Sequence, residues 1–243
     1  MALIEIRNLS KSFKGLAALT DIHLDIQQGE IVGLIGPNGA GKTTLFNVIT
    51  GFLTPESGQI RFHGTDIVGW KPFQICQKGL VRTFQIVKPF LELTVLENVL
   101  AGAFNAASSK KEAMSLALEA LEFGGLIHRK DESARFLTIS ELKSLELIRA
   151  LATKPNICFI DEAMSGLNPK EVDDMVKKIR EIRTVKKVTL LIIEHTMRAI
   201  MNVSDRVVVL DHGMKIAEGE PASVSANPKV IEAYLGAGVE SLM

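Results

Sequence analysis

Two stretches near the N-terminus alternate between apolar and polar residues. Residues 4–7 read IEIR, and residues 22–26 read IHLDI. A period of two places successive side chains on opposite faces of a β-strand. We therefore predict two half-buried strands that belong to an N-terminal antiparallel β subdomain.

Four later runs are apolar without alternation. They read IVGLI at 31–35, ICFI at 157–160, TLLII at 189–193 and VVVL at 207–210. Strands that lie inside a parallel sheet, with both faces covered, have such sequences. Each run is followed by a polar or helical segment, and this order is typical of an α/β protein. We predict an α/β fold with a mainly parallel sheet.

The middle of the chain, from about residue 86 to residue 150, contains helix signals and no comparable apolar run. Capping boxes of the form Ser/Thr-x-x-Glu at 94–97 and 109–112 each begin an amphipathic run, and Gly124 ends the second. We predict one domain over residues 1–243, with a helical subdomain inserted in its core. The predicted helical part covers 86–151, and the core covers 1–85 and 152–243.

Residues 137–151, LTISELKSLELIRAL, predict a further amphipathic helix. Its apolar positions are Leu145, Ile148 and Leu151, and the polar positions between them are Lys143, Ser144 and Glu146. Thr138 and Glu141 have the spacing of a capping box. A helix N-terminus can also hold an anion, so the start of this helix has two interpretations.

Composition and charge exclude several classes of protein. The chain has 28 basic and 28 acidic residues, so it lacks the broad positive field on which sequence-independent nucleic-acid binding depends, and we expect no nucleic-acid partner. The N-terminus has no signal-peptide pattern, and no apolar run approaches the ~20 residues of a membrane span. Cys76 and Cys158 have no metal-ligand spacing, which suits a reducing compartment.

A glycine-rich segment follows the apolar run 31–35 and begins a helix. It contains the G-x-x-x-x-G-K-[ST] spacing of a phosphate-binding loop, in which backbone N–H groups, a lysine and a helix N-terminus face the phosphates. A threonine hydroxyl at the last position can bind Mg²⁺. We predict a P-loop NTPase that binds a nucleoside triphosphate and Mg²⁺ through Gly36, Asn38, Gly39, Ala40, Gly41, Lys42, Thr43 and Thr44, and we call residues 36–44 the phosphate loop.

Polar residues follow three other predicted strands. Asp161 and Glu162 end the run ICFI; an aspartate there can hold Mg²⁺ through water, and a glutamate can polarise the attacking water. His195 follows the run 189–193, next to the strand of the phosphate loop, and is expected to point into the same crevice. Gln85, in VRTFQ, has no specific pattern of its own.

In this order, GPNGAGKTT, RTFQ, the helical insert, FIDEAMSGLNP and IIEHTM resemble the ATPase subunits of ABC (ATP-binding cassette) transporters over almost the whole chain. The segments LTVLENVLAG, LDHGMKIAEGEP and ANPKVIEAYLG look most like the ATPases of branched-chain amino-acid importers. Importers of other small polar solutes, such as urea, are close alternatives. The resemblance implies a peripheral protein on the cytoplasmic face of the membrane.

The resemblance also implies roles for individual residues. Phe13 matches the aromatic residue that stacks on adenine, although a core phenylalanine is the alternative. Gln85 becomes a Mg²⁺ and water sensor, Glu162 the general base and His195 the γ-phosphate contact. Asn168 lies in the loop that meets a partner ATPase.

Partners are implied in the same way. Residues 86–100, which we call the docking segment, match the place where a helix of the integral membrane permease binds, and a core helix would explain their apolar residues almost as well. A second ATPase subunit completes the dimer. A periplasmic or extracellular solute receptor acts through the permeases.

Residues 137–141, LTISE, depart from the family's pattern L-S-G-G-Q, and we call them the signature-like loop. Thr138 keeps the hydroxyl, but both glycines are absent, and the Ser140 Cβ is expected to block close approach to a phosphate. If the glycine is needed only because the backbone there is left-handed, a non-glycine residue at that position costs about 1–2 kcal/mol. Because this loop serves the opposite subunit, we predict an asymmetric heterodimer with one impaired ATP site.

Two functions of other classes stay open at this point. A nucleotide-gated binding module would bind ATP with little hydrolysis by this chain, for which the altered loop gives the motive. The hypothesis of a soluble ABC-type ATPase of DNA repair or translation has less support, because the sequence has neither a broad positive field nor a second cassette.

Overall fold

The structure is a computed structural model that describes residues 2–85, 88–194 and 197–235. The chain divides into two compact units. The first comprises Met1–Ile75 and Thr189–Met243, and the second comprises Cys76–Val188. The predicted boundaries of the helical subdomain, 86–151, fall inside the second unit and stay a prediction.

The described residues form ten strands and nine α-helices. The strands are β1 (Ala2–Phe13), β2 (Leu16–Gln27), β3 (Ile31–Ile35), β4 (Ser57–Phe62), β5 (Thr65–Asp66), β6 (Leu80–Arg82), β7 (Ile157–Asp161), β8 (Thr189–Ile193), β9 (Arg206–Asp211) and β10 (Met214–Gly219). The helices are α1 (Lys42–Ile49), α2 (Pro72–Gln77), α3 (Val95–Ala103), α4 (Lys110–Gly124), α5 (Ile139–Leu151), α6 (Pro169–Thr184), α7 (Met197–Val203), α8 (Pro221–Ser225) and α9 (Pro228–Leu235). Short 3₁₀ turns occupy Ile127–Arg129 and Ala134–Phe136.

The first unit contains an antiparallel sheet in the order β2-β1-β4-β5, which confirms the predicted N-terminal β subdomain. It also contains strands β10, β9, β3 and β8, of which β9, β3 and β8 are parallel and β10 is antiparallel to β9. All five residues of β3 are buried, as are those of β8, as expected for parallel strands covered on both faces. The α/β fold class is therefore confirmed.

The second unit contains the parallel pair β6 and β7 and a helical cluster. One face each of α3, α4 and α5 contributes to a common apolar core that includes Val95, Leu121 and Ile148. The predicted capping box of α3 is present, and the Ser109 side chain accepts the Glu112 amide at the start of α4. Helix α4 ends at Gly124, and Gly125 adopts the left-handed C-cap conformation.

Helix α5 differs from its predicted amphipathic pattern on one side. Leu145 and Ile148 are buried as predicted, but Lys143 and Glu146, predicted as part of the polar face, are buried as well. The Lys143 ammonium donates to the carbonyl of Glu162, and the Glu146 carboxylate accepts the Phe84 N–H at 2.9 Å. These two charged side chains therefore form hydrogen bonds with neighbouring backbone groups instead of facing solvent.

Cys158 is buried, and burial raises the pKa of its thiol to about 12, so the thiol stays protonated and unreactive. Within the ranges that the structure describes, no helix combines the length and the apolar character needed to cross a bilayer.

Candidate functional site

The phosphate loop of the first unit depends on glycine at two points. Gly36 has φ 148°, and a Cβ there would lie 2.0 Å from the carbonyl oxygen of Leu210. Gly41, the N-cap of α1, has φ 100°, and its Cβ would lie 2.5 Å from the Ala18 carbonyl oxygen. Both close approaches are to backbone, so neither position accepts a side chain. The loop therefore lies in close contact with β2 on one side and with the end of β9 on the other.

Lys42 begins α1 and turns back over the loop. Its ammonium donates to the carbonyl oxygens of Gly36 at 2.7 Å and Pro37 at 2.9 Å. The Lys42 side chain is buried, so a positive charge is held inside the loop, beside the N-terminus of α1. A buried cation at a helix N-terminus is suited to an anionic ligand.

The Phe13 ring is 45% exposed, so the alternative of a core phenylalanine is wrong. Phe13 ends β1 and pairs with Leu16 at the start of β2. The Lys11 ammonium lies 5.4 Å from the ring centroid, a cation–π distance. The ring is accessible for stacking, and its role in binding adenine stays a prediction.

In the second unit, β7 ends on a buried ion pair that sequence reasoning missed. Arg82 donates to a carboxylate oxygen of Asp161 at 3.0 Å, and the two side chains are 7% and 3% exposed. Burial lowers the pKa of Arg82, and the Asp161 carboxylate opposes that shift. The Thr83 hydroxyl also accepts the Asp161 N–H. Arg82 and Thr83 lie in the motif VRTFQ, so that motif was the sequence signal that could have directed attention to these residues.

Glu162 has φ 52°, a left-handed backbone that is uncommon for a non-glycine residue. The Glu162 carboxylate accepts a hydrogen bond from the Gln85 side-chain amide at 2.9 Å. The structure thus brings together two of the predicted catalytic residues. Lys143 holds the same turn through the carbonyls of Glu162 and Ser165.

The signature-like loop forms the capped start of α5. The Thr138 hydroxyl accepts the Glu141 N–H, and the Glu141 carboxylate accepts the Thr138 N–H at 2.8 Å. Ile139 and Ser140 are helical, so the left-handed strain considered for the missing glycines does not arise. The capping box is confirmed, and nucleotide binding by Thr138 and Ser140 stays a prediction.

Glu141 adds negative charge to that helix start. Burial raises the pKa of Glu141, but the hydrogen bonds with Thr138 and the charge of the Arg129 guanidinium lower it by more. The pKa of Glu141 therefore lies below its usual value. Arg129 donates to Glu141 at 2.9 Å. An ionised carboxylate on the helix N-terminus repels an approaching phosphate. Beside it, Phe136 and Ile139 are 69% and 66% exposed.

The described part of the docking segment, residues 88–100, divides into exposed and buried apolar residues. Val95 and Val99 lie in the core of the helical cluster, whereas Phe90, Leu91 and Leu93 are exposed. The buried Asn98 side chain binds the backbone of the exposed part. It accepts the Phe90 N–H at 2.8 Å and donates to the Phe90 carbonyl at 3.0 Å. It also donates to the Thr94 carbonyl. The interpretation as a core helix thus holds for Val95 and Val99, whereas the apolar residues before them are exposed, and docking on them stays a prediction.

Asn168 caps α6 through a capping box with Glu171. His195 and residues 86 and 87 of the docking segment lie outside the described residues. Among the described residues, no three His, Cys, Asp or Glu side chains are grouped as a metal site. Mg²⁺ commonly uses few protein ligands together with phosphate oxygens, so hard oxygen donors such as Thr43, Gln85 and Asp161 fit it in type.

Two family profiles match the chain. The profile described as "ABC transporter" matches residues 19–165. The profile described as "Branched-chain amino acid ATP-binding cassette transporter" matches residues 214–240. Together these matches include the phosphate loop, β7 with Glu162, and the C-terminal helix α9.

The curated relatives match over nearly their full length. The chain is 41% identical to the high-affinity branched-chain amino acid transport ATP-binding protein BraF of Pseudomonas aeruginosa, over 96% of this chain and 98% of the relative. It is 39% identical to LivG of Escherichia coli K12, described in the same words, over 96% and 98%. A solved ATP-binding cassette of an ABC transporter in its ADP conformation is 35% identical, with a TM-score of 0.88 over 97% of this chain and 99% of that one.

Proposed function

The chain belongs to the ATP-binding cassette (ABC) transporter family and is an ATPase, and from this premise we propose that it energises an importer of branched-chain amino acids. The observation that most favours this solute class is the 41% identity to BraF over almost the whole chain. The match of residues 214–240 to the branched-chain profile also supports it.

ATP binding in this proposal rests on the phosphate loop. Lys42 and the backbone of residues 36–44 bind the β- and γ-phosphates, with Thr44 and the start of α1 facing the same anion. Phe13 stacks on the adenine. Thr43, Asp161 and Gln85 are the residues proposed to hold Mg²⁺. When bound, Mg²⁺ supplies positive charge to the phosphate oxygens.

Hydrolysis requires a base for the attacking water, and we assign that role to Glu162. The Gln85 amide donates to its carboxylate at 2.9 Å and so fixes its orientation. Lys143, bound to the carbonyls of Glu162 and Ser165, holds the backbone of the turn. His195 is proposed as the γ-phosphate contact.

The membrane partner is proposed to dock on the exposed part of the docking segment. Phe90, Leu91 and Leu93 are exposed together there, next to a fully buried helix face. Exposed apolar clusters of this kind mark interaction sites. The chain would then act as a peripheral subunit on the cytoplasmic face of the membrane, with the solute receptor acting through the permeases.

The second ATPase is proposed to be a different chain. Ser140 carries a Cβ in the first turn of α5, and the Glu141 carboxylate caps that turn, so this loop is a poor ligand for the triphosphate of a partner. The apolar residues Phe136 and Ile139 beside it suit a protein contact. A heterodimer would then have one competent and one impaired site.

This asymmetry gives a testable prediction. We expect the double change Ile139→Gly and Ser140→Gly to raise turnover at the partner's site by at least about tenfold, equivalent to about 1.4 kcal/mol, because close approach to the backbone becomes possible. The measurement is ATP turnover of the mixed dimer, with Glu162→Gln in this chain so that the partner's site is observed.

The matched control is Ile139→Ala with Ser140→Ala, which keeps both β-carbons. Its turnover should stay near that of the unchanged loop. Equal turnover for the glycine and alanine pairs would show that the β-carbons do not limit the site.

A second candidate function is a nucleotide-gated module, in which ATP organises assembly with little hydrolysis. The capping box that occupies the start of α5 favours it. Reconstitution with the permeases, the second ATPase and the receptor in liposomes separates the candidates. The import proposal expects ATP-dependent uptake of labelled leucine. Uptake of urea instead would contradict the solute class, and tight ATP binding without turnover would support the second candidate.

A further inference from the structure

The C-terminal helix α9 contacts the phosphate loop through Tyr234, the only tyrosine of the chain. The Tyr234 hydroxyl accepts the Gly36 N–H, with an N–O distance of 2.8 Å. The side chain is partly buried, and burial raises the pKa of Tyr234 while the Gly36 N–H lowers it. The phenol therefore stays neutral at physiological pH and can accept this bond.

Gly36 is held from three directions. Its N–H faces the Tyr234 hydroxyl, its Cα faces the Leu210 carbonyl so closely that no Cβ fits, and its own carbonyl accepts the Lys42 ammonium at 2.7 Å. The bond from Tyr234 acts on the peptide group before the Gly36 Cα, and the bond from Lys42 acts on the peptide group after it. Together the two bonds restrain the backbone of Gly36 and orient its carbonyl towards the Lys42 ammonium.

Helix α9 itself is anchored independently of the loop. Val230 is buried, and α9 packs on β10 and α8. A cleft of about 890 Å³ lies between the loop and α9, lined by Pro37, Asn38, Gly39, Lys229, Glu232 and Ala233. The helix contacts the loop through the hydrogen bond between the Gly36 N–H and the Tyr234 hydroxyl.

We propose that Tyr234 is a positioning residue for nucleotide binding: it fixes Gly36, and through Gly36 the Lys42 ammonium, and so makes the affinity for nucleotide depend on the C-terminal helix. The inference rests on the proposed ATP-binding role of the phosphate loop. It also gives a function to the closing segment ANPKVIEAYLG, which no step of hydrolysis uses.

The test is Tyr234→Phe, which removes the hydroxyl and keeps the ring. Because the Gly36 N–H then loses its partner, affinity for Mg²⁺-ATP and for a non-hydrolysable ATP analogue should fall about three- to tenfold. The KM for ATP should rise by the same factor, while kcat at saturating ATP stays within about twofold, as expected for a group that acts on binding alone. Hydrogen exchange of the Gly36 amide, followed by NMR in protein labelled with ¹⁵N-glycine, should become faster.

The matched control is Ser225→Ala, which removes a hydroxyl bonded only to the Ala222 carbonyl within α8. It should change neither affinity nor Gly36 exchange. The proposal is overturned if Tyr234→Phe leaves affinity within twofold of this control, or if the Gly36 amide of the unchanged protein is already unprotected. If the unchanged protein binds no nucleotide at all, the proposed ATP-binding function fails as well.

Discussion

Changing Glu162 to glutamine is expected to lower ATP turnover by about 10²- to 10⁴-fold, the range of a general base. The change removes the proton acceptor but keeps the shape of the side chain. Gln85 can still donate to the remaining carbonyl oxygen, so the turn at the end of β7 should keep its geometry. Turnover should be measured in a mixed dimer whose partner ATPase has lost its own catalytic base, so that only the site of this chain contributes, together with ATP affinity.

Affinity for ATP should be unchanged in this variant, because the phosphate loop is untouched. Glu122→Gln, on an exposed position of α4, is the matched control and should have normal turnover. An unaltered rate in Glu162→Gln would remove Glu162 from the reaction and leave the nucleotide-gated module as the better function.

The second large effect is expected for stability. Arg82→Met should lower the free energy of unfolding by about 3–5 kcal/mol, because it removes the buried cation that pairs with the buried Asp161 carboxylate. Loss of the guanidinium over the Phe84 ring, now 4.6 Å from its centroid, adds to the effect. Urea unfolding followed by circular dichroism measures the change.

Two controls test the cause of that loss. Adding Asp161→Asn to Arg82→Met also removes the buried negative charge and should recover at least half of the lost stability. Arg135→Met breaks the exposed pair of Arg135 with Glu92 and should cost less than about 1 kcal/mol. Similar losses for the Arg82 and Arg135 variants would show that burial of the first pair is not the cause.

Elements with a strong local signal were predictable from the sequence. The apolar runs gave β3, β7, β8 and β9, and the box at Thr138 gave the start of α5. The phosphate loop was predictable because its spacing lies within one strand–loop–helix segment. In each case the residues that cooperate are close in sequence.

Features that join distant residues were not predictable in this way. Arg82 and Asp161 lie 79 residues apart, and Gly36 and Tyr234 lie 198 apart, so no local pattern pairs them. Lys143 and Glu146 looked like solvent-facing positions of α5, because helical periodicity records polarity but not which backbone groups a buried charge will satisfy. The strand β10 was also missed, since its residues are mostly half-exposed and lack a clear alternation.

The side chain of Asn98 has a consequence for recruitment. It ties the backbone of Phe90 to α3 with two hydrogen bonds while the Phe90 ring stays exposed. In the proposed complex, a permease helix contacts a backbone whose conformational entropy was already lost when the chain folded. Less of the binding free energy is then needed to order this segment, and slow dissociation becomes attainable with a small apolar contact area.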